Sequence, residues 1–155
     1  MVVLNSTPLY AESGGQSGDK GILSVAGGEF LVAVTQKMGK ACAHSGVAKG
    51  TEKKGDTATA SIDVANREAI KKNHSATHLL HAALREILDE HVTQKRSLVE
   101  APRLRFDFSH FEAVTSEQIA QLERRVNEQI RENHVLSTEL MKLEDAKASG
   151  AMALF

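Results

Sequence analysis

The sequence predicts an α+β chain: a small β-barrel over residues 1–63, followed by helices packed on a mostly antiparallel sheet over residues 64–155. Three observations carry that reading. Glycine and β-branched residues crowd the first 63 positions. An apolar stripe at three- and four-residue spacing begins shortly after them. Beyond that stripe, strand-like runs alternate with a second amphipathic stretch.

In chain order, the strand-like runs are Val2–Leu4, Gly21–Val25, Glu29–Gln36 and Thr57–Ile62, punctuated by turn signals at Ser13-Gly14-Gly15, Gly27-Gly28 and Lys54-Gly55-Asp56. Their order in a sheet is left open. A helix is expected over about residues 73–90, because Ala76, Leu79, Leu80, Ala83, Leu84, Ile87 and Leu88 fall on one face. Strands are expected at Val92–Val99 and Leu104–Phe108. Thr115 and Gln118 form a capping-box pattern that opens a helix running to about Asn133, with Ile119, Leu122, Val126 and Ile130 as its stripe. A short strand at Val135–Leu140 and a helical turn at Leu143–Ala148 complete the series.

His74, His78 and His81 sit on the first of these helices. At about 100° per residue they cluster on the side opposite the apolar stripe, so they face solvent, a cleft or another layer of protein. A His-x-x-x-His pair places two imidazoles side by side, which is half of a tetrahedral zinc site. Within the chain, Cys42 and His44 are the candidate partners, on one side of a strand, although a lone strand cysteine is more often a small buried hydrophobe. His91, His110 and His134 stand near element ends and read as isolated surface residues.

Net charge is −1, which excludes a generic polyanion binder. The distribution is uneven: residues 64–105 carry eight Lys/Arg against five Asp/Glu, while residues 106–155 carry five against nine. The basic middle, including Lys95, Arg96, Arg103 and Arg105, surrounds the histidine helix and is of a kind that receives phosphates. A single cysteine excludes an internal disulfide framework. With no long apolar run and no signal-like start, the expected setting is the cytosol, away from membranes.

Several stretches together resemble a known family. Ser6-Thr-Pro-Leu-Tyr-Ala-Glu-Ser-Gly-Gly-Gln16 with Gly18-Asp19-x-Gly21 is similar to the opening of the editing region of bacterial alanyl-tRNA synthetases. Asn73-His-Ser-Ala-Thr-His-Leu-Leu-His-Ala-Ala-Leu84 resembles that family's zinc helix. His91-Val-x-Gln94, Ser97-Leu-Val99 and Leu104-Arg-Phe-Asp-Phe108 are similar to the strands after it, and Gly150-Ala-Met-Ala-Leu-Phe155 to a segment before its last metal motif. The matches run in order over essentially the whole chain.

The resemblance implies an editing module that hydrolyses serine or glycine esters of alanine tRNA, within an enzyme that ligates alanine to tRNA using ATP. Such a second sieve is needed because a pocket built for alanine rejects smaller or near-isosteric amino acids poorly. It implies His74 and His78 as zinc ligands, and Thr77 and Gln94 as catalytic-pocket residues. Ser97 is a further candidate substrate contact, and Gly14-Gly15-Gln16 is a candidate for a place near the tRNA end, since glycines let backbone approach a ligand closely. It also implies the tRNA acceptor end and the rest of a synthetase chain as partners. The family completes its zinc site with a Cys-x-x-x-His motif that these 155 residues lack. Two of four ligands are therefore expected, with weak zinc binding, impaired hydrolysis and some tendency to self-associate through an open sheet edge. Two rival readings are a threonyl-tRNA synthetase editing domain, which shares the histidine helix, and a noncatalytic tRNA-binding module. Release factors also use Gly-Gly-Gln, but without this surrounding text, and a plain tight turn serves Gly14-Gly15 at least as well.

Overall fold

The computed structural model describes residues 1–150; the Ala151–Phe155 part of the last resembling segment lies outside the described residues. The chain forms two compact units. One comprises Met1–His78 with Gln94–Phe108, and the other Leu79–Thr93 with the chain from Ser109 on.

In the first unit, β1 (Val2–Val3), β2 (Gly21–Val25), β3 (Gly28–Met38), β4 (Ala41–Gly50) and β5 (Thr59–Ile62) make one antiparallel sheet in the order β1-β4-β3-β2-β5. The sheet is open, which corrects the expected barrel. Closure needs its two edges to pair, and here the edges are a two-residue and a four-residue strand at opposite ends of the order. The strand β4 is not among the strand-like runs, although Cys42 and His44 read as lying on a strand. Its Ala- and Gly-rich text, Ala-Cys-Ala-His-Ser-Gly-Val-Ala-Lys-Gly, carries little strand propensity. It is a strand because β3 supplies a long partner, from Gly28↔Gly50 to Met38↔Ala41.

Burial along β3 records a shift of phase. Phe30 and Val32 are buried, then Thr35, while Val34 is 38% exposed. The register slips between Val32 and Val34. One extra residue in a strand exchanges the faces of everything after it. Leu23, Phe30 and Val32 then pack with Leu9 as the core of this unit, and Val2, Leu4, Ala60 and Ile62 lie partly buried around it.

The helix α1 (Val64–Leu88) begins nine residues earlier than the apolar stripe suggests. Asp63 accounts for that start, since its carboxylate accepts from Asn66 N–H at 2.9 Å and satisfies a helix-end donor. After α1, β6 (Thr93–Val99) and β7 (Leu104–Ser109) form a two-stranded sheet. Their four-residue connection is closed by Glu100 N–H donating to Arg103 O at 2.9 Å. Asn73 of α1 holds that turn, donating to Glu100 O at 2.8 Å and Ala101 O at 3.1 Å.

In the second unit, α2 (Ser116–Glu132) has the capping box read from the sequence. Gln118 N–H donates to Thr115 Oγ1, and Thr115 N–H donates to Gln118 Oε1. Asn133 ends the helix in the left-handed region, at φ 50°. The helix α3 (Leu143–Ala148) lies where the helical turn was expected. The strand expected at Val135–Leu140 is not formed. Among the described residues no strand pairs with it, and Val135, Leu136 and Leu140 are each at least 76% exposed. Apolar content alone does not make a strand without an edge to bond to. No helix among the described residues is long and apolar enough to cross a membrane.

Candidate functional site

The stretch from Thr7 to Asp19 is strapped across the first unit. At one end the fully buried His44 holds it. The Val2 carbonyl can only accept, so His44 Nδ1–H donates to it at 3.1 Å, and Nε2 then accepts from Thr7 Oγ1–H at 2.9 Å. Both ring nitrogens are thereby engaged, which removes His44 as a metal ligand and with it the candidate Cys42–His44 pair. At the other end, the buried Asp19 carboxylate accepts from Arg67 of α1 through Nε at 3.1 and 3.2 Å and through Nη2, and from Tyr10 N–H at 2.6 Å. Arg67 Nη2 also donates to Pro8 O at 2.7 Å. Nothing in the sequence marks this pair across 48 positions.

At the tip of the strap, Ser13-Gly14-Gly15-Gln16 is a tight hairpin turn, with Ser13 and Gln16 exchanging backbone hydrogen bonds at 3.0 and 3.2 Å. Gly14 and Gly15 have φ of 59° and 83°. Positive φ at both central positions is the turn type that glycine favours. The turn docks on β6: Val99 N–H donates to Gly15 O at 2.8 Å and Ser17 N–H to Val99 O at 3.0 Å. A Cβ on Gly15 would run into the Ser97 carbonyl and lie 2.7 Å from Ser97 Oγ, whereas one on Gly14 would meet open space. Gly15→Ala is therefore expected to destabilise by about 1–3 kcal/mol and to undock the loop, and Gly14→Ala by less. Urea unfolding of both variants checks this ordering; equal losses would contradict the docking contact.

This turn also meets the histidine helix. Gln16 Oε1 accepts from His74 Nδ1–H at 2.5 Å. That bond places the imidazole proton on Nδ1 and leaves the Nε2 lone pair outward, the form in which a histidine binds a metal. His78 lies beside it, ring centroids 5.1 Å apart and planes 20° from parallel. Packing against these neighbours removes water from His74 and pushes its imidazole below the ordinary value, and the His78 charge adds to the effect. Of the settings left open for the histidine face, His74 and His78 take the exposed one. His81, from the second unit, is instead buried at 8% exposure. Thr77 is also buried, its hydroxyl donating back to Asn73 O at 2.8 Å.

The other expected residues collect in a pocket of about 330 Å³ within the first unit. Gly14 and Gly15 form one wall, and Gln94 and Ser97 of β6 another, with Gln94 Nε2–H donating to Ser97 Oγ at 3.1 Å. Lys95, Arg96 and Arg105 complete the lining. The sequence showed these three only as part of a basic excess; no spacing pattern places β7's Arg105 beside β6. His74, His78 and Thr77 do not line the pocket, and Gln16 joins the two groups through the turn.

Two imidazoles are not a zinc site. No group of three His, Cys, Asp or Glu side chains able to hold a metal occurs among the described residues. Zinc requires about four ligands, so the residues present supply half of a set and no more. In the second unit, His91 and His110 are not the isolated residues expected. Their Nε2 and Nδ1 are 2.9 Å apart, with the Phe111 ring 4.6 Å from His91. His134 does lie exposed, paired with Glu132 at 2.6 Å.

Residues 1–66 match the family model described as tRNA synthetases class II (A). The full 155 residues are 62% identical to the alanine–tRNA ligase of Pseudoalteromonas translucida (strain TAC 125) and 64% identical to that of Idiomarina loihiensis. The alanine–tRNA ligase of Shewanella loihica is 58% identical over 156 residues. Each match covers 100% of this chain and 18% of the relative. The chain thus spans under a fifth of the length of these relatives, and it belongs to the alanyl-tRNA synthetase family as a segment of that enzyme.

Proposed function

We propose that this segment carries part of the site at which an alanine–tRNA ligase hydrolyses tRNA esters bearing serine or glycine in place of alanine. One observation supports the reading above the others: the Gly14-Gly15-Gln16 turn reaches β6 beside Ser97 and His74 of α1 at once. Residues distant in sequence and drawn from one family pattern thus meet in one unit.

In the proposed reaction, water adds to the ester carbonyl carbon and the bond to the terminal ribose oxygen breaks, that oxygen leaving with a proton. Gln94 and Ser97 now satisfy each other, and a bound aminoacyl group would exchange that bond for its own amine or hydroxyl. Thr77 enters this reading as a residue that shapes the helix beneath the site, since its hydroxyl is directed to its own backbone. His74 and His78 would contribute two zinc ligands, with the remaining donors from outside these 155 residues. The wider reading, ligation of alanine to tRNA with ATP in the cytosol, belongs to the longer enzyme.

In a full-length ligase containing this segment, His74→Ala is expected to lower deacylation of serine- or glycine-charged tRNA by about 100-fold or more while alanine charging persists. Unchanged deacylation in that variant would overturn the proposal. Tight tRNA binding by the segment, with deacylation indifferent to His74, would instead favour a noncatalytic RNA-binding module.

A further inference from the structure

The pocket beside the turn holds three cations that the hydrolysis does not use. Lys95 and Arg96 are exposed, and among the described residues they form no ion pair and no side-chain hydrogen bond. Arg105 is tied to Asp107 through Nε alone, at 3.1 Å, and its side chain is 58% exposed. Its two Nη groups, the fork that grips paired oxygens, carry no partner among the described residues. No carboxylate lines the pocket.

Several neighbouring cations are already matched. Arg67 is bound to Asp19, Lys71 to Glu68 and Arg103 to Glu100. Uncompensated charge thus gathers where Gly14 leaves open space and Gly15 presents bare backbone. A cavity of about 330 Å³ with two strongly hydrated or forked donors beside a third suits a ligand carrying more than one phosphoryl oxygen. A carboxylate, with two oxygens and one charge, would leave most of these donors in water.

Building on the editing reading, we propose that Lys95, Arg96 and Arg105 form a cradle for the phosphodiester backbone of a single-stranded RNA end. The cradle holds the strand so that its terminal ester arrives at Gln94 and Ser97. These three are positioning residues: they touch the backbone of the RNA and not the scissile bond.

The test is a salt titration of binding, by fluorescence anisotropy, between this 155-residue chain and a short labelled single-stranded oligoribonucleotide. Each phosphate contact on a single strand contributes about 0.7 to the slope of log affinity against log salt. Lys95→Ala, Arg96→Ala and Arg105→Gln are each expected to reduce the slope by about that amount and to weaken binding several-fold. Lys54→Ala, in the exposed β4–β5 loop beyond the Gly50 end of β4 and outside the pocket lining, should change neither. Inorganic phosphate should displace the oligonucleotide only at concentrations far above those of the RNA. Unaltered slopes in all three variants, absence of RNA binding by the unmodified chain, or equal affinity for inorganic phosphate would each overturn the cradle. Failure of the two proposals is separable. Unaltered slopes with deacylation still dependent on His74 remove the cradle and leave editing. Altered slopes with deacylation indifferent to His74 remove editing and leave an RNA-binding pocket.

Discussion

Titrated with zinc in a calorimeter, the 155-residue chain is expected to give weak, non-saturating heats with no stoichiometric step. A complete structural zinc site gains about 10–16 kcal/mol, and each donor contributes to that through its own bond and through the geometry it imposes on the others. Here two imidazoles stand together and no third donor joins them among the described residues. The half-site is nonetheless prepared. Gln16 fixes the His74 tautomer and keeps Nε2 available, so assembly with donors from elsewhere would meet a histidine already in its ligating form. Tight one-to-one binding by this chain alone would refute the ligand count. Removing the Gln16 contact by Gln16→Ala should leave the weak binding weak here, and reduce zinc affinity by about 10–100-fold in a full-length enzyme.

Arg67→Ala is expected to remove about 3 kcal/mol of stability, visible as a lower urea midpoint with an unchanged slope. The reason is asymmetry. Asp19 has a side chain only 4% exposed, so deleting its guanidinium partner strands a carboxylate with the Tyr10 N–H as its remaining donor. Asp19→Ala should be milder than Arg67→Ala, because the Arg67 side chain is 30% exposed and can return to water while still donating to Pro8 O. The double variant should lose less than the sum of the two. Equal and additive losses would show that the pair is not coupled as its geometry implies.

How much of this was legible depended on whether the signal was local. The α2 helix was readable to within a residue, because the Thr115–Gln118 box and the Asn133 cap are chemistry between near neighbours. The start of α1 was missed by nine residues, since its first turns carry no apolar stripe and rely on Asp63. The full extent of strand β4 escaped because its residues prefer nothing in particular and its partner decides the matter. The expected barrel and the Val135–Leu140 strand failed for the converse reason: a strand-like run says nothing about which edge is within reach. At the site, family motifs named Gly14, Gly15, Gln16, His74, His78, Gln94 and Ser97, and the first unit brings these near one another. No motif foretold the bond from Gln16 to His74, the clamp from Asp19 to Arg67, or the place of Arg105 in the pocket. Each joins positions whose nearness only the fold creates.

The double anchorage of the Thr7–Asp19 strap has a consequence for how a ligand is met. His44 holds one end, Arg67 the other, and Thr35 adds two bonds in between, donating from Oγ1 to Asp19 O at 2.8 Å and accepting from Glu12 N–H at 2.9 Å. A glycine turn hung on so many fixed points has little freedom left to surrender. The entropy of ordering that a loose loop would forfeit at each encounter has been spent in folding, so association should be governed by diffusion and charge and not by loop closure.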